Sequence, residues 1–274
     1  PEQLTRLVAD LRASVGRADA PVLIDQEGGR VVRMGPPHWR APPAAAVIGA
    51  LAERDLGTAR GAAWLNARLI AAELGQAGID VCCLPVLDLQ FEGANSVVGD
   101  RAFSMNAEIV AELGRAACRG LMAGGVLPAI KHMPGHGRAM SDSHLEMPRV
   151  EASLDELRES DFRPFQALRD MPLGISAHVC YSALDGEAPG TLSRTVIQEA
   201  IRGAIGFDGL LLSDDLSMEA LSGTLGERAA AALAAGCDVA LHCNGRAEEM
   251  ADVAASVAEL SAEAVRRWDG AKAN

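Results

Sequence analysis

Aromatic residues make up only 3% of this 274-residue chain: three Trp, one Tyr and five Phe. That excludes an extended surface of stacking rings and favours a small, enclosed site. Positive charge is also in deficit, with 25 Lys+Arg against 37 Asp+Glu and a formal charge of −12. Nucleic-acid binders cluster Lys and Arg to displace counterions, so phosphate-backbone binding is excluded as the main activity. The longest apolar stretches, LLL at 210–212 and AAALAAGCDVALHC at 230–243, are broken by Gly, Asp or His short of the ~18 residues a membrane span needs. The opening PEQLTRLVADLRASVG has the apolar spacing of an amphipathic helix (Leu4, Leu7, Val8, Leu11) and not the form of a signal peptide. Six dispersed cysteines, two of them adjacent (Cys82, Cys83), give neither a disulfide framework nor a zinc cluster. A soluble protein of the reducing cytoplasm is expected, with no membrane partner.

What is present is alternation. Short apolar runs at 20–25, 78–89, 125–132, 173–179, 207–215 and 237–243 read as strands. Helical patterns fall between and after them, at 46–76, 104–123, 151–170, 193–204, 217–235 and 246–268. Ser153, with Glu156 three residues on, and Ser193 are helix-start signals. Each strand is near-continuously apolar until a polar residue closes it: Asp25, Asp88, Lys131-His132, His178, Asp214-Asp215, His242. Strands buried on both faces, with polar groups at one end, are the pattern of a (β/α)8 TIM-type barrel, whose chemistry sits at the C-terminal strand ends. A doubly wound dinucleotide-binding sheet is disfavoured, because IDQEGGRVVR lacks the GxGxxG spacing. Residues 1–274 are read as a single catalytic domain. Six visible strands fall short of an eight-strand closure, and the chain starts on a helix, so N-terminal strands are expected to be missing from it.

Four segments carry candidate chemistry. KHMPGHGRAMSDSHLEMP (131–148) concentrates His132, His136, His144 and Asp142 in a long loop after a strand. These could ligate zinc, but the Pro/Gly loop lacks the helical i, i+4 register that brings two His to one ion. Alternatively Asp142, two residues before His144, orients an acid–base imidazole, or the loop is merely capped by its own polar side chains. LLLSDDLSMEAL (210–221) reads as a strand running into a helix, where Asp214 or Asp215 is either an N-cap or a carboxylate nucleophile. In LIDQEGGRVVRM (23–34), Asp25 and Glu27 can accept hydrogen bonds from sugar hydroxyls and Arg30 and Arg33 can donate, or the four form a local ion-pair cluster. GDRAFS (99–104), with Arg101, is a weak signal alone. His178 reads as a satisfied histidine lining the pocket, His242 and Asn244 as residues of the barrel mouth, and Cys82-Cys83 as core.

Taken in order, LIDQEGGRVVRM, GDRAFS, KHMPGHG followed by DSH, SAHVCY (176–181), SDDLSME and LHCNG (241–245) resemble the motifs of bacterial β-N-acetylglucosaminidases (β-hexosaminidases) of glycoside hydrolase family 3. The likeness runs from about residue 2 to about residue 250. It implies a retaining exo-glycosidase on one barrel that removes terminal β-linked GlcNAc. Asp214 would be the nucleophile, and His144, oriented by Asp142, the acid/base, in place of the usual second carboxylate. Asp25, Arg33, Arg101, Lys131 and His132 match the family's sugar-binding positions. Also implied are a small carbohydrate substrate (GlcNAc-anhydroMurNAc peptides of peptidoglycan recycling, or chitooligosaccharides), no cofactor, no metal, no nucleic acid and a monomer. Phosphorolysis of the same bond and an inactive, truncated sugar-binding barrel are the alternatives. The family often has Asp or Thr where this chain has Arg138 and Ala139, and Phe where it has Met133.

Overall fold

The computed structural model describes residues 1–91, 93, 94, 96–139 and 147–273. Six parallel strands form one curled sheet: β1 (Leu23–Ile24), β2 (Val81–Cys82), β3 (Leu127–Met133), β5 (Leu173–Ser176), β7 (Leu210–Asp215) and β8 (Val239–Leu241), hydrogen-bonded in that order. The all-parallel order is that of a (β/α) barrel wall. Two further strands, β4 (Arg149–Val150) and β6 (Cys180–Tyr181), pair with each other beside it, an element the sequence pattern did not suggest. The expected strand at 78–89 is cut to two residues: past Cys82 the Leu84 N–H turns back to the Cys82 carbonyl at 2.8 Å, and Pro85 has no N–H to donate. Pairing resumes beyond it, where the Leu87 N–H donates to the Lys131 carbonyl at 2.7 Å.

Helices α1 (Glu2–Ser14), α2 (Ala45–Ala52), α3 (Leu56–Ala77), α4 (Ala107–Met122), α5 (Leu154–Glu159), α6 (Phe162–Ala167), α7 (Leu225–Ala235), α8 (Ala247–Ser256) and α9 (Ala262–Lys272) connect or follow the strands, with a π-helix at Val196–Ile205. Four expected helices are shorter or split: that at 151–170 divides into α5 and α6 at Ser160-Asp161 without a side-chain cap, and the other three break at a capping residue. Asp55 accepts from the Thr58 N–H at 3.1 Å and starts α3 afresh. Thr224 and Glu227 form a capping box that delays α7 to Leu225. Ser261 caps α9 separately from α8. The Ser153–Glu156 capping box is present at the start of α5.

Side chains alternate along a strand, and the two sets pack in different places. Val81, Cys83, Ala129, Leu173, Ile175, Leu210 and Leu212 face the interior of the curl, where Ala264 and Ala271 of α9 join them. Ile130 and Leu211 face outward into the main helix-covered cluster, and Cys82 and Leu84 into a second one beneath α1 and α3. Followed along the inner face, Leu23 leads to Asp25, Ala129 to Lys131, and Leu212 to Asp214. The strand period therefore delivers two acids and a lysine to the same end of the same cavity.

Candidate active site

That cavity, about 260 Å³, is lined among others by Asp25, Glu27, Arg33, Arg101, Lys131, His132, His136, Asp214 and Asp215. It lies just below the ~300–1,000 Å³ usual for small-molecule sites, the size of a site for one small ring. All five residues expected to bind substrate, and the expected nucleophile, border it. His144 and Asp142, the expected acid/base pair, lie outside the described residues.

One wall is a chain of charges. Lys131 Nζ lies 2.6 Å from Asp25 Oδ1 and 2.6 Å from Glu27 Oε1. Arg101 grips the same glutamate through Nε and Nη2, both at 2.8 Å, a bidentate pair. Arg101 Nη1 also donates to the Val97 carbonyl, which fixes the guanidinium plane. Arg33 stands outermost, its side chain 60% exposed and 3.9 Å from Asp25. Burial alone would raise the Glu27 carboxyl, but Lys131 and Arg101 outweigh it and hold it far below the usual carboxylate range. Burial likewise works against the Lys131 ammonium, and Glu27 and Asp25 overcome it and push its pKa up. Both stay ionised. Glu27, read from sequence as one possible acceptor for a sugar hydroxyl, has both oxygens committed to Lys131 and Arg101, cations of other segments, and Arg30 turns to Asp100 at 3.0 Å, so of the local cluster expected within residues 25–33 only the 3.9 Å Asp25–Arg33 approach forms.

His132 follows Lys131 directly, yet both reach the cavity, because the β3–β5 register shifts between Ile130 and Met133. Its Nδ1 is 2.6 Å from Asp88 Oδ2, and its Nε2 lies 3.5 Å from Arg101 Nη2. Asp88 is fully buried behind the wall, and its Oδ1 also accepts the His136 N–H at 2.7 Å. Asp88 was visible as a polar strand end, but nothing in its spacing tied it to a histidine 44 residues away. With Asp88 holding Nδ1, Nε2 is the ring atom turned to the cavity.

Asp214 ends the inner face of β7. Burial would raise its carboxyl, but the positive charges of His132, His178 and Lys131 and the Asp215 N–H bring it down to about 2. The surroundings of Lys131 raise its pKa and keep it charged, whereas burial holds His178 below the ordinary histidine value. Asp214 is thus a carboxylate at neutral pH. Neither it nor Asp215 caps a helix: β7 passes into turns and α7 begins ten residues later. Asp215 instead accepts from the Ser217 N–H and hydroxyl and from the Cys243 N–H at 2.7–3.1 Å, which locks the strand end.

Other expectations shift. His178 is satisfied but sits behind the wall, its Nδ1 2.9 Å from Thr191 Oγ1 and its Nε2 2.9 Å from the Asp215 carbonyl. At the end of β8 the cavity is lined by Leu241 and Cys243, while His242 turns away toward Glu249, 3.5 Å from its carboxylate. Cys83 is buried yet touches the cavity, and burial pushes its thiol up to about 12. Among the described residues no group of three or more potential metal ligands converges, and no helix is long and apolar enough to cross a membrane.

Residues 1–269 match the family model described as the glycosyl hydrolase family 3 N terminal domain. A protein of Bordetella avium named beta-hexosaminidase is 41% identical over 248 residues, which cover 88% of this chain and 69% of that one. A beta-hexosaminidase of Pseudomonas aeruginosa is 40% identical over 270 residues, 97% of this chain and 76% of its own length. Among solved structures, NagZ from Neisseria gonorrhoeae in complex with N-trifluoroacetyl-D-glucosamine superposes with a TM-score of 0.88 at 37% identity, covering 98% of this chain and 78% of that one.

Proposed function

The chain belongs to glycosyl hydrolase family 3, and from that premise we propose that it is a retaining exo-β-N-acetylglucosaminidase acting through Asp214. The observation that carries the reading is that Asp214, an ionised carboxylate with no ion-pair partner within 4 Å among the described residues, borders a cavity sized for one sugar and walled by Asp25, Lys131, Arg101 and His132. Asp25 accepts from sugar hydroxyls, Lys131 and Arg33 offer donors, and His132 presents Nε2 to the ring. These contacts fix the ring so that its anomeric carbon meets the carboxylate.

In the first step an Asp214 carboxylate oxygen bonds to the anomeric carbon as the bond from that carbon to the leaving oxygen breaks. His144, as imidazolium beside Asp142, gives its proton to that oxygen. In the second step His144, now neutral, takes a proton from water while the water oxygen bonds to the anomeric carbon. The ester to Asp214 breaks and the carboxylate returns. An imidazole suits this work because it exchanges protons near neutral pH without the burial a protonated carboxylic acid requires. The substrate proposed is a GlcNAc-anhydroMurNAc peptide of cytoplasmic peptidoglycan recycling, or a chitooligosaccharide; the dearth of aromatic residues fits a short ligand over a polysaccharide.

Hydrolysis of a chromogenic aryl β-GlcNAc tests this. Asp214→Asn should lose on the order of 10⁴-fold or more in kcat/KM while staying folded. A folded but inert wild-type protein would defeat the reading. GlcNAc-1-phosphate in place of free GlcNAc in phosphate buffer would make the enzyme a phosphorylase.

A further inference from the structure

In the loop that leaves β3, the structure gives Arg138 a task. Its Nε donates to Asp161 Oδ2 at 2.7 Å and its Nη2 to Ser160 Oγ at 3.0 Å, both between α5 and α6. Its guanidinium lies 4.2 Å from the centre of the Phe91 ring. Asp161 is buried, its side chain 1% exposed, so this is no loose surface pair. A planar fork that meets a carboxylate and a hydroxyl together is what arginine supplies and lysine does not. The loop is already drawn tight here. Gly135 has φ +138, and a Cβ on it would stand 2.9 Å from Asp161 Cβ.

A second tether comes from Tyr181, the chain's sole tyrosine. Its ring is fully buried and its hydroxyl donates to the Gly135 carbonyl at 2.8 Å. Its backbone belongs to β6, which pairs with β4: Tyr181 aligns with Val150, and the Cys180 N–H donates to the Pro148 carbonyl at 2.9 Å. The stretch 180–182 therefore ties residue 135, through the Tyr181 hydroxyl, to residues 148–150, through the Cys180 and Ser182 N–H groups, on either side of the segment that carries Asp142 and His144. Neither Arg138 nor Tyr181 lines the cavity.

We propose that Arg138, through Asp161 and Ser160, and Tyr181, through Gly135, are positioning residues that fix the two roots of the His144 segment and so set where its proton is delivered. The proposal rests on the reading of His144 as the acid/base. A displaced proton donor penalises leaving groups that need a proton and spares those that do not. A merely structural role would affect both alike.

The experiment measures kcat/KM on 2,4-dinitrophenyl β-GlcNAc, whose phenolate leaves unprotonated, and on methyl β-GlcNAc, whose alkoxide cannot. Wild type, Arg138→Met, Arg138→Lys, Tyr181→Phe and His144→Ala are compared. For Arg138→Met the methyl glycoside should lose roughly 10–100-fold, the range of a misplaced catalytic group, and the dinitrophenyl glycoside less than about 3-fold. Arg138→Lys should recover only part of the loss. Tyr181→Phe, which deletes one hydroxyl and keeps the buried ring, should show the same bias at roughly 3–10-fold, and it serves if Arg138→Met does not fold. Equal losses on both substrates, or none, overturn the proposal. His144→Ala separates the two ideas. If it shows the leaving-group bias and the Arg138 and Tyr181 variants do not, the tether fails and the acid/base reading stands. If His144→Ala itself shows no bias, the acid/base reading fails and the tether falls with it.

Discussion

Glu27 and Lys131, beyond the ends of the β1 and β3 apolar runs, and His136, in the loop after β3, border one cavity and are all buried, yet they stand in opposite states of charge. Glu27 and Lys131, with side chains 4% and 5% exposed, remain ionised because each faces an opposite charge at 2.6 Å and Glu27 has Arg101 as well. His136, buried a few residues on, is pushed down to about 4 by burial first and by its neighbour His132 second, with Asp88 too little to offset them, and is neutral. Burial is common to both regions, and partner charge is what differs. Glu27 is held ionised by attraction and His136 neutral by exclusion of charge, so acid should reach them at different pH values.

The largest effect expected from breaking this contrast is on Glu27. Glu27→Gln keeps the shape but leaves Lys131 and Arg101 facing a neutral amide. Removing one member of a buried ionic group typically costs about 3–5 kcal/mol, readable as a lower urea midpoint at pH 7. The sign of the pH dependence follows from a folded-state pKa below the unfolded value of ~4.3. Glu27's contribution is complete above that pH and is lost as pH falls through the folded value. The gap between wild type and variant should thus be constant from pH 7 to about 5 and narrow below ~4.3. A gap that closes already between pH 7 and 5 would contradict the pairing.

The loop should respond earlier. His136 binds a proton in the unfolded chain near pH 6.5, but in the folded chain only near pH 4. Between those values the unfolded state holds the extra proton, so stability falls on acidification, by roughly 2–3 kcal/mol at pH 4. His178, which burial also holds below its ordinary value, adds to the same slope. His136→Gln should flatten the wild-type profile between pH 6.5 and 4.5 without removing the His178 share. A variant profile as steep as wild type would show that His136 is not excluded from charge, and the contrast between the regions would lose its second half.

This difference also marks what the sequence made legible. Strand periodicity was enough to set Asp25, Lys131 and Asp214 at one end of one face, because every second residue of an apolar strand repeats the same direction. It could not show that Glu27 belongs with Arg101, 74 residues on, or Asp88 with His132, since those pairings arise only when β1, β2 and β3 lie side by side. The helix breaks at Asp55 and Thr224 were written in capping residues, Asp55 with Thr58 and Thr224 with Glu227. Apolar periodicity running through them masked the signal. Arg138 was read only as a departure from the family, because its partners Ser160 and Asp161 are meaningful once α5 and α6 are folded against the loop. Asp142 and His144 were legible as a motif and lie outside the described residues.

The smallest effect asks how far the loop's hold depends on the helix beneath it. Ser153 is exposed, accepts the Glu156 N–H, and receives Glu156 back on its own N–H at 2.8 Å, closing the box that starts α5. Ser153→Ala should cost about 1 kcal/mol of stability, the usual worth of an N-cap, measured as a shift in urea midpoint. At its other end the same helix leads into Ser160 and Asp161, the partners of Arg138. Two buried side chains flank that end, Leu157 and Phe162, and both are 0% exposed. If they hold Asp161 in place, frayed first-turn residues will not move it, and kcat/KM on the methyl glycoside should stay within about 2-fold of wild type. If instead that substrate slows and the dinitrophenyl glycoside does not, the cap's strain has travelled along α5 to Arg138. The loop side of the cavity would then depend on a solvent-exposed serine, a dependence the strand-end charges, fixed by their own ion pairs, do not share.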